Sequence, residues 1–255
     1  MTVRIERQGR VWTVIHSRPE ARNAMDPESA DTLLEAFQRF NDDSEAAAAV
    51  LWGEGGAFCA GFDLKYAATL KAKELEDLQR GPMGPTRLEL DKPVIAAIAG
   101  AAVAGGFELA LWCDVRVMEA SAYFGVYCRR WGVPLVDGGT VRLPRIVGMG
   151  RALELILTGR RLPAEEALRI GACEHVVADG GARQFAEAMA CEIARFPQAC
   201  LRADRRSAYM QQGLPLREAM QREWHNGAPV LAAEAVEGAK RFASGKGRHG
   251  DFGNI

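Results

Sequence analysis

No two of the six cysteines in this 255-residue chain form a C-x-x-C pair, and their positions, 59, 113, 128, 173, 191 and 200, have no metal-ligand spacing. That speaks against a zinc or dithiol motif and for reduced thiols in a cytoplasmic protein. No apolar run reaches bilayer-spanning length. The opening Met1-Thr2-Val3-Arg4-Ile5-Glu6-Arg7 is charged and strand-like rather than a signal peptide, and Gly253-Asn254-Ile255 is neither a peroxisomal nor a retention tag. A cytoplasmic chain with no membrane partner is therefore expected. Formal charge is −1 with basic residues spread along the chain, so no nucleic-acid partner is indicated. The G-x-S-x-G elbow of serine hydrolases is missing. Gly100 and Gly105 have P-loop spacing, but Gly106-Phe107 stands where Lys and Ser/Thr would have to hold phosphate and magnesium. Gly148-Met149-Gly150 lacks the third glycine of a dinucleotide fingerprint, which disfavours a nicotinamide oxidoreductase. The histidines, at 16, 175, 225 and 249, are scattered and read as surface or satisfied residues.

At 48 % hydrophobic, the chain has enough apolar residues for one sizeable core. Its centre of gravity is the stretch 93–114. Pro93-Val94-Ile95-Ala96-Ala97-Ile98 reads as a buried strand, and Phe107 to Trp112 as a short helix with Gly105 and Gly106 in its first turn. Early N–H groups of a helix have no internal partner, and glycine lets a ligand approach the backbone. One carboxylate, Glu108, stands among these apolar residues. Its neighbours Phe107, Leu109 and Leu111 predict that desolvation raises its pKa toward the working pH, unless the side chain is simply solvated. Upstream, Gly53-Glu54-Gly55-Gly56-Ala57-Phe58-Cys59-Ala60-Gly61-Phe62-Asp63-Leu64 packs four glycines into nine residues and forms a second loop with inward-pointing amides.

Along the chain, Val11 to Ile15 is a strand stopped before Pro19. Asp26 caps a helix that begins at Pro27 and carries the stripe Ala30, Leu33, Leu34 and Phe37, and Ala49 to Trp52 is a strand. Residues 65–90 are charged and then punctuated by Gly81-Pro82-Met83-Gly84-Pro85, the composition of a mobile lid or a solvated loop. A strand over 114–118 precedes Asp137-Gly138-Gly139, where Asp137 has the placement of an N-cap. The remainder is mostly helical: 150–157, 163–170, 181–195, 198–212 and 215–243. The expected organisation is an α/β core over 1–195 and a helical region over 196–255.

Two glycine loops offering N–H groups, with a carboxylate three residues after one of them, make an oxyanion hole with an acid/base, suited to a carbonyl substrate whose enolate must be stabilised. The residues that carry this chemistry also resemble a family. Ala57 to Leu64, Lys92-Pro93-Val94-Ile95-Ala96, Gly105-Gly106-Phe107-Glu108-Leu109, Cys113-Asp114, Gly138 to Pro144 and Leu157-Thr158-Gly159-Arg160 are similar to the crotonase (enoyl-CoA hydratase/isomerase) superfamily. The resemblance implies a spiral of β-β-α units with a C-terminal helical trimerisation region. It also implies a homotrimer or dimer of trimers, with an acyl-CoA thioester as substrate and coenzyme A as part of it rather than a separate cofactor. No metal or redox cofactor is implied.

By the same resemblance the N–H groups of Phe62 and Gly105 form the oxyanion hole and Glu108 is the general acid/base. Arg22 and Ala24 in the 18–24 loop receive the adenine and phosphates, and Lys246 reaches a phosphate in a neighbouring subunit. Ala60, Asp63, Leu64, Gly106, Cys128 and Trp131 are further substrate contacts. Hydratases of the family carry a second glutamate where this chain has Cys128, whereas Asp137 lies near an aspartate of dienoyl-CoA isomerases. Simple hydration is thus disfavoured and Asp137 becomes the second carboxylate. The alternatives are an acyl-CoA hydrolase or decarboxylase of the same fold, and a non-catalytic acyl-CoA-binding protein.

Overall fold

The computed structural model of the chain describes residues 2–71, 81–250 and 253. β1 (Val3–Gln8) and β2 (Val11–His16) form an antiparallel pair at one edge of a six-stranded sheet. The sheet continues in parallel through β3 (Ala48–Gly53), β4 (Val94–Ile98), β6 (Val115–Glu119) and β9 (His175–Val177), in the order β1-β2-β3-β4-β6-β9. β2 and β4 are buried along their whole length, which is why they read as continuous apolar runs rather than alternating ones. A smaller sheet holds β5 (Ala101–Val103), β7 (Tyr123–Gly125) and β8 (Arg161–Pro163).

The chain spirals between the two sheets. Each turn passes from the large sheet to the small one and then into a helix or loop: β3 to a bridge at Cys59, β4 to β5, and β6 to β7. The first two turns are stitched where Cys59 pairs in parallel with Ala102, with Cys59 N donating to Ala101 O and Val103 N to Cys59 O, both at 3.0 Å.

α1 (Pro27–Asp42) starts as expected, its N-cap Asp26 accepting from Ser29 N at 2.9 Å, a cap worth about 1 kcal/mol. Its buried face runs through Ala30, Leu33, Ala36, Phe37 and Phe40, while Leu34 turns partly outward. Phe37 meets Trp112 edge-on at 4.9 Å, and Phe107 stacks on Phe124 at 4.3 Å. On the opposite side of the large sheet, Ala182, Ala186 and Ala190 of α7 (Ala182–Ile193) pack against Val50, Ile95 and Val117. His16, at the end of β2, departs from expectation. It is buried with no hydrogen-bond partner on either ring nitrogen among the described residues, and burial depresses its pKa to about 4.

Between these lie the short α2 (Leu64–Ala67), the buried α3 (Gly105–Trp112), α4 (Gly139–Val147), α5 (Met149–Thr158) and α6 (Ala164–Ile170). The C-terminal helices α8 (Gln198–Met210), α9 (Leu216–Val230) and α10 (Val236–Ala243) follow, with a π-helical turn at Leu231–Ala235. Arg202 of α8 reaches back to Ala46 O, and Arg205 to Asp114, tying that helix to the sheet.

The lid-like composition of 65–90 does not translate into a loose loop at 81–88; residues 72–80 lie outside the described residues. Met83 and Thr86 are fully buried. Gly84, at φ +79°, lies against the backbone of Ala30, and Trp112 Nε1 donates to Leu88 O at 2.9 Å. The Gly/Pro punctuation serves tight packing here rather than mobility.

Candidate active site

The site lies where consecutive turns of the spiral leave the small sheet. One turn exits at Ala60-Gly61-Phe62 and the next at Ala104-Gly105. Gly61 has φ +91°, and a Cβ there would stand 2.9 Å from Ala104 Cβ and 3.0 Å from Gly105 N, so the loops touch. Ala104 itself adopts φ 54°, ψ −124°, a sparsely populated conformation for a residue with a side chain. Its strain fixes the orientation of the Gly105 peptide at the first position of α3. Phe62 is held by the parallel bridge to Met25, in which Met25 N donates to Gly61 O and Asp63 N to Met25 O, both at 2.8 Å. Phe62 N and Gly105 N have no hydrogen-bond acceptor among the described residues.

α3 is buried on every side, so Glu108 is enclosed too, at 3 % exposure. Its Oε1 accepts from Asp137 N at 2.9 Å and from Gly139 N at 2.8 Å. The carboxylate thus sits at the N-terminus of α4 and satisfies one of its orphan donors. Gly138 provides the φ of +98° that turns the chain into that helix, and a side chain on Gly139 would stand 2.9 Å from Glu108 Oε1. Burial nonetheless wins over these donors and pushes the Glu108 pKa up to about 7, with the nearby Asp137 charge acting in the same direction.

Asp137 does not cap α4. Gly138 occupies the cap position, and the Asp137 side chain turns the other way, accepting at Oδ1 from Thr86 Oγ1 at 2.5 Å and from Met83 N at 3.2 Å. The preference of aspartate for N-caps is outweighed because Glu108 already takes the α4 donor at Gly139. Burial raises the Asp137 pKa, opposed by the bond from Thr86 and by the guanidinium groups of Arg87 and Arg142.

Phe62, Gly105, Glu108 and Asp137 all line one cavity of about 520 Å³. Of the other residues expected at the site, Ala60, Leu64, Cys128 and Trp131 are also on its wall. The Cys128 thiol is buried, and desolvation followed by the Glu108 charge raises its pKa. Trp131 stands at the rim, 68 % exposed.

The remaining expected contacts do not line this cavity. The Asp63 carboxylate caps α2 through Lys65 N and Tyr66 N and pairs with Arg18 at 3.3 Å. Gly106 is turned toward the Cys59 carbonyl, against which any Cβ would collide. Arg22 and Ala24 lie on the loop next to the cavity loop, to which it is joined by Ala60 N donating to Arg22 O at 3.1 Å; Arg18 donates to Ala24 O, and Lys246 is exposed beyond α10. Met83, Arg87 and Tyr127 reach the cavity wall without having been singled out in the sequence. Met83 lies against the Cα face of Gly105 and, with Thr86 and Arg87, comes from a segment whose composition carried no chemical signal. Among the described residues, no group of three or more His, Cys, Asp and Glu side chains is arranged to hold a metal ion. No helix among them is long and apolar enough to cross a membrane.

Residues 6–245 match the family model described as enoyl-CoA hydratase/isomerase. The chain is 37 % identical over 247 residues to the enoyl-CoA hydratase EchA19 of Mycobacterium tuberculosis, covering 94 % of this chain and 92 % of that one. It is 36 % identical over 221 residues to the (E)-benzylidenesuccinyl-CoA hydratase of Thauera aromatica, covering 85 % of each. The crystal structure of enoyl-CoA hydratase EchA1 from Mycobacterium marinum superposes with a TM-score of 0.89 at 32 % identity, covering 95 % of this chain and 96 % of that one.

Proposed function

The chain belongs to the enoyl-CoA hydratase/isomerase family, and from that premise we propose that it moves a proton between carbons of an unsaturated acyl-CoA, or adds water at an altered position, in preference to hydrating crotonyl-CoA. The observation that carries this reading is the pair Glu108 and Asp137, both on the wall of a cavity that also exposes Phe62 and Gly105. The thioester oxygen accepts from Phe62 N and Gly105 N, so negative charge developing on the enolate meets two preorganised donors. Asp137, whose charged form is disfavoured by burial but supported by Thr86 and two guanidiniums, takes a proton from carbon. Glu108, with a pKa near 7, holds a proton to deliver to another carbon. Cys128 cannot orient water as a carboxylate does, because a neutral thiol is a weak hydrogen-bond acceptor.

No metal or redox cofactor enters these steps. Arg22, Ala24 and Lys246 are assigned to the coenzyme A moiety on family likeness. Assembly as a homotrimer or dimer of trimers is supported by Leu216, Met220 and Trp224, which follow one another at four-residue spacing on α9 and are 59–77 % exposed. A cytoplasmic location is supported by six free cysteines.

The test is a panel of acyl-CoAs incubated in deuterated water and read by mass spectrometry. Deuterium exchange, isomerisation or the gain of one water, without loss of coenzyme A, is the expected result. Release of free coenzyme A or of carbon dioxide would move the enzyme to the hydrolase or decarboxylase alternative, and binding without any change of mass to a non-catalytic role.

A further inference from the structure

The segment 81–88 touches both halves of the site. Met83 covers Gly105, Met83 N and Thr86 Oγ1 donate to Asp137 Oδ1, and Arg87 donates to Val136 O at 2.6 Å. Thr86 is 1 % exposed and does not reach the cavity wall. Its own backbone is pinned in turn. Arg142, from α4, donates through one nitrogen to Thr86 O at 2.6 Å and through another to Asp137 O at 2.9 Å. Both hydrogen bonds to the Asp137 carboxyl end on Oδ1, and Oδ2 has no protein partner among the described residues.

An aspartate with no such restraint at this position would be free to rotate toward the α4 terminus. We infer that Thr86 is the positioning residue for Asp137: clamped by Arg142, its hydroxyl holds one carboxyl oxygen and thereby leaves the other available to the acyl chain. This deepens the reading of Asp137 as the carbon base and rests on it.

The hydroxyl also sets the proton affinity of the base. The charged and titratable groups around Asp137 are Glu108 from α3, Arg87 from the 85–87 turn, Arg142 from α4, and the thiols of Cys59 and Cys128. Thr86 donates to the ionised carboxylate and stabilises it. Removing that donor disfavours the ionised form and raises the pH at which Asp137 becomes a base.

The experiment compares Thr86→Val, Thr86→Ser and Asp137→Asn with wild type on whichever enoyl-CoA the screen identifies, measuring kcat, KM and kcat/KM against pH. Thr86→Val is expected to lose about 10- to 100-fold in kcat and to shift the acid limb up by about one to two pH units. Thr86→Ser should restore both. Should Thr86→Val not fold, the smaller Thr86→Ala and Thr86→Cys are read on the same quantities. An unmoved acid limb, or equal losses in the valine and serine variants, would overturn the inference. Asp137→Asn separates the two levels. If it retains turnover, the assignment of Asp137 fails; if it loses turnover while Thr86→Val does not, only the positioning role fails.

Discussion

Glu108 Oε1 accepts the backbone N–H of Asp137 at 2.9 Å, while the Asp137 carboxyl points away to Thr86. The two acids are thus coupled through one peptide yet differ in surroundings. Burial shifts Glu108 up to about 7 against two backbone donors; burial also raises the Asp137 pKa, but there a hydroxyl and two guanidiniums oppose it and favour the ionised form. Such a difference lets one carboxyl group serve as acid and the other as base at the same pH.

The division of roles fixes the sign of the pH dependence. If Glu108 works as the proton donor, kcat/KM falls as pH rises through about 7, where the carboxyl ionises. A rate that climbs through that range instead would make Glu108 the base. Glu108→Gln should lose roughly 100-fold or more in turnover while still binding acyl-CoA, as followed by calorimetry.

The same shift has a consequence for stability. The Glu108 pKa is above its ordinary 4.5 in the folded protein, so the folded state binds more protons than the unfolded one between about 4.5 and 7. Its contribution is greatest below the unfolded value and declines as pH rises through the folded one, by roughly 3 kcal/mol in total. Denaturant titrations at pH 5 and pH 8 should show that decline in wild type and a clearly smaller one in Glu108→Gln. An equal decline in both would mean that Glu108 is not the group responsible.

The backbone donors can be tested without touching a carboxylate. Phe62→Pro removes the N–H proposed as one donor of the oxyanion hole and should cost on the order of 100-fold in turnover, while Phe62→Leu, which keeps it, should be mild. Equal activities in the two folded variants would exclude Phe62 N from the reaction.

Close packing of the two loops predicts a contrast between glycines. Gly106→Ala drives a Cβ into the Cys59 carbonyl, a backbone atom that cannot swing aside, and should destabilise by about 3 kcal/mol or more. Gly150, near the start of α5, has nothing within 4 Å of its Cβ position, and Gly150→Ala should be neutral or stabilising by up to about 1 kcal/mol. Thermal melts of both variants decide it, and a stable Gly106→Ala would contradict the described contact between the loops.

The parts of this site legible in the sequence are those fixed locally. The apolar run 94–98, the amphipathic α1 with its Asp26 cap, and a lone carboxylate in a greasy helix at 108 each carry a short-range signal. The three-residue strands β5, β7 and β8 are too short to show a period, and their pairing is set by partners far along the chain. Asp137 was ambiguous for a physical reason. As a residue before Gly-Gly and a helix it has cap chemistry, and only the fold shows that Glu108, 29 residues earlier, has taken the helix donor at Gly139 N, while Thr86, 51 residues earlier, has taken the side chain. Asp63 shows the converse: a residue inside a binding-loop motif whose carboxylate is committed to α2 and Arg18.

The central claim is that Asp137, rather than a residue at position 128, is the second carboxylate of the reaction. It is tested most directly by measuring crotonyl-CoA hydration, and turnover of a longer or more substituted enoyl-CoA, in wild type, Asp137→Asn and Cys128→Glu. Wild type should hydrate crotonyl-CoA weakly, Cys128→Glu should gain that activity, and Asp137→Asn should lose the second reaction by roughly 100-fold or more. Robust wild-type hydration of crotonyl-CoA that is indifferent to Asp137→Asn would contradict the claim.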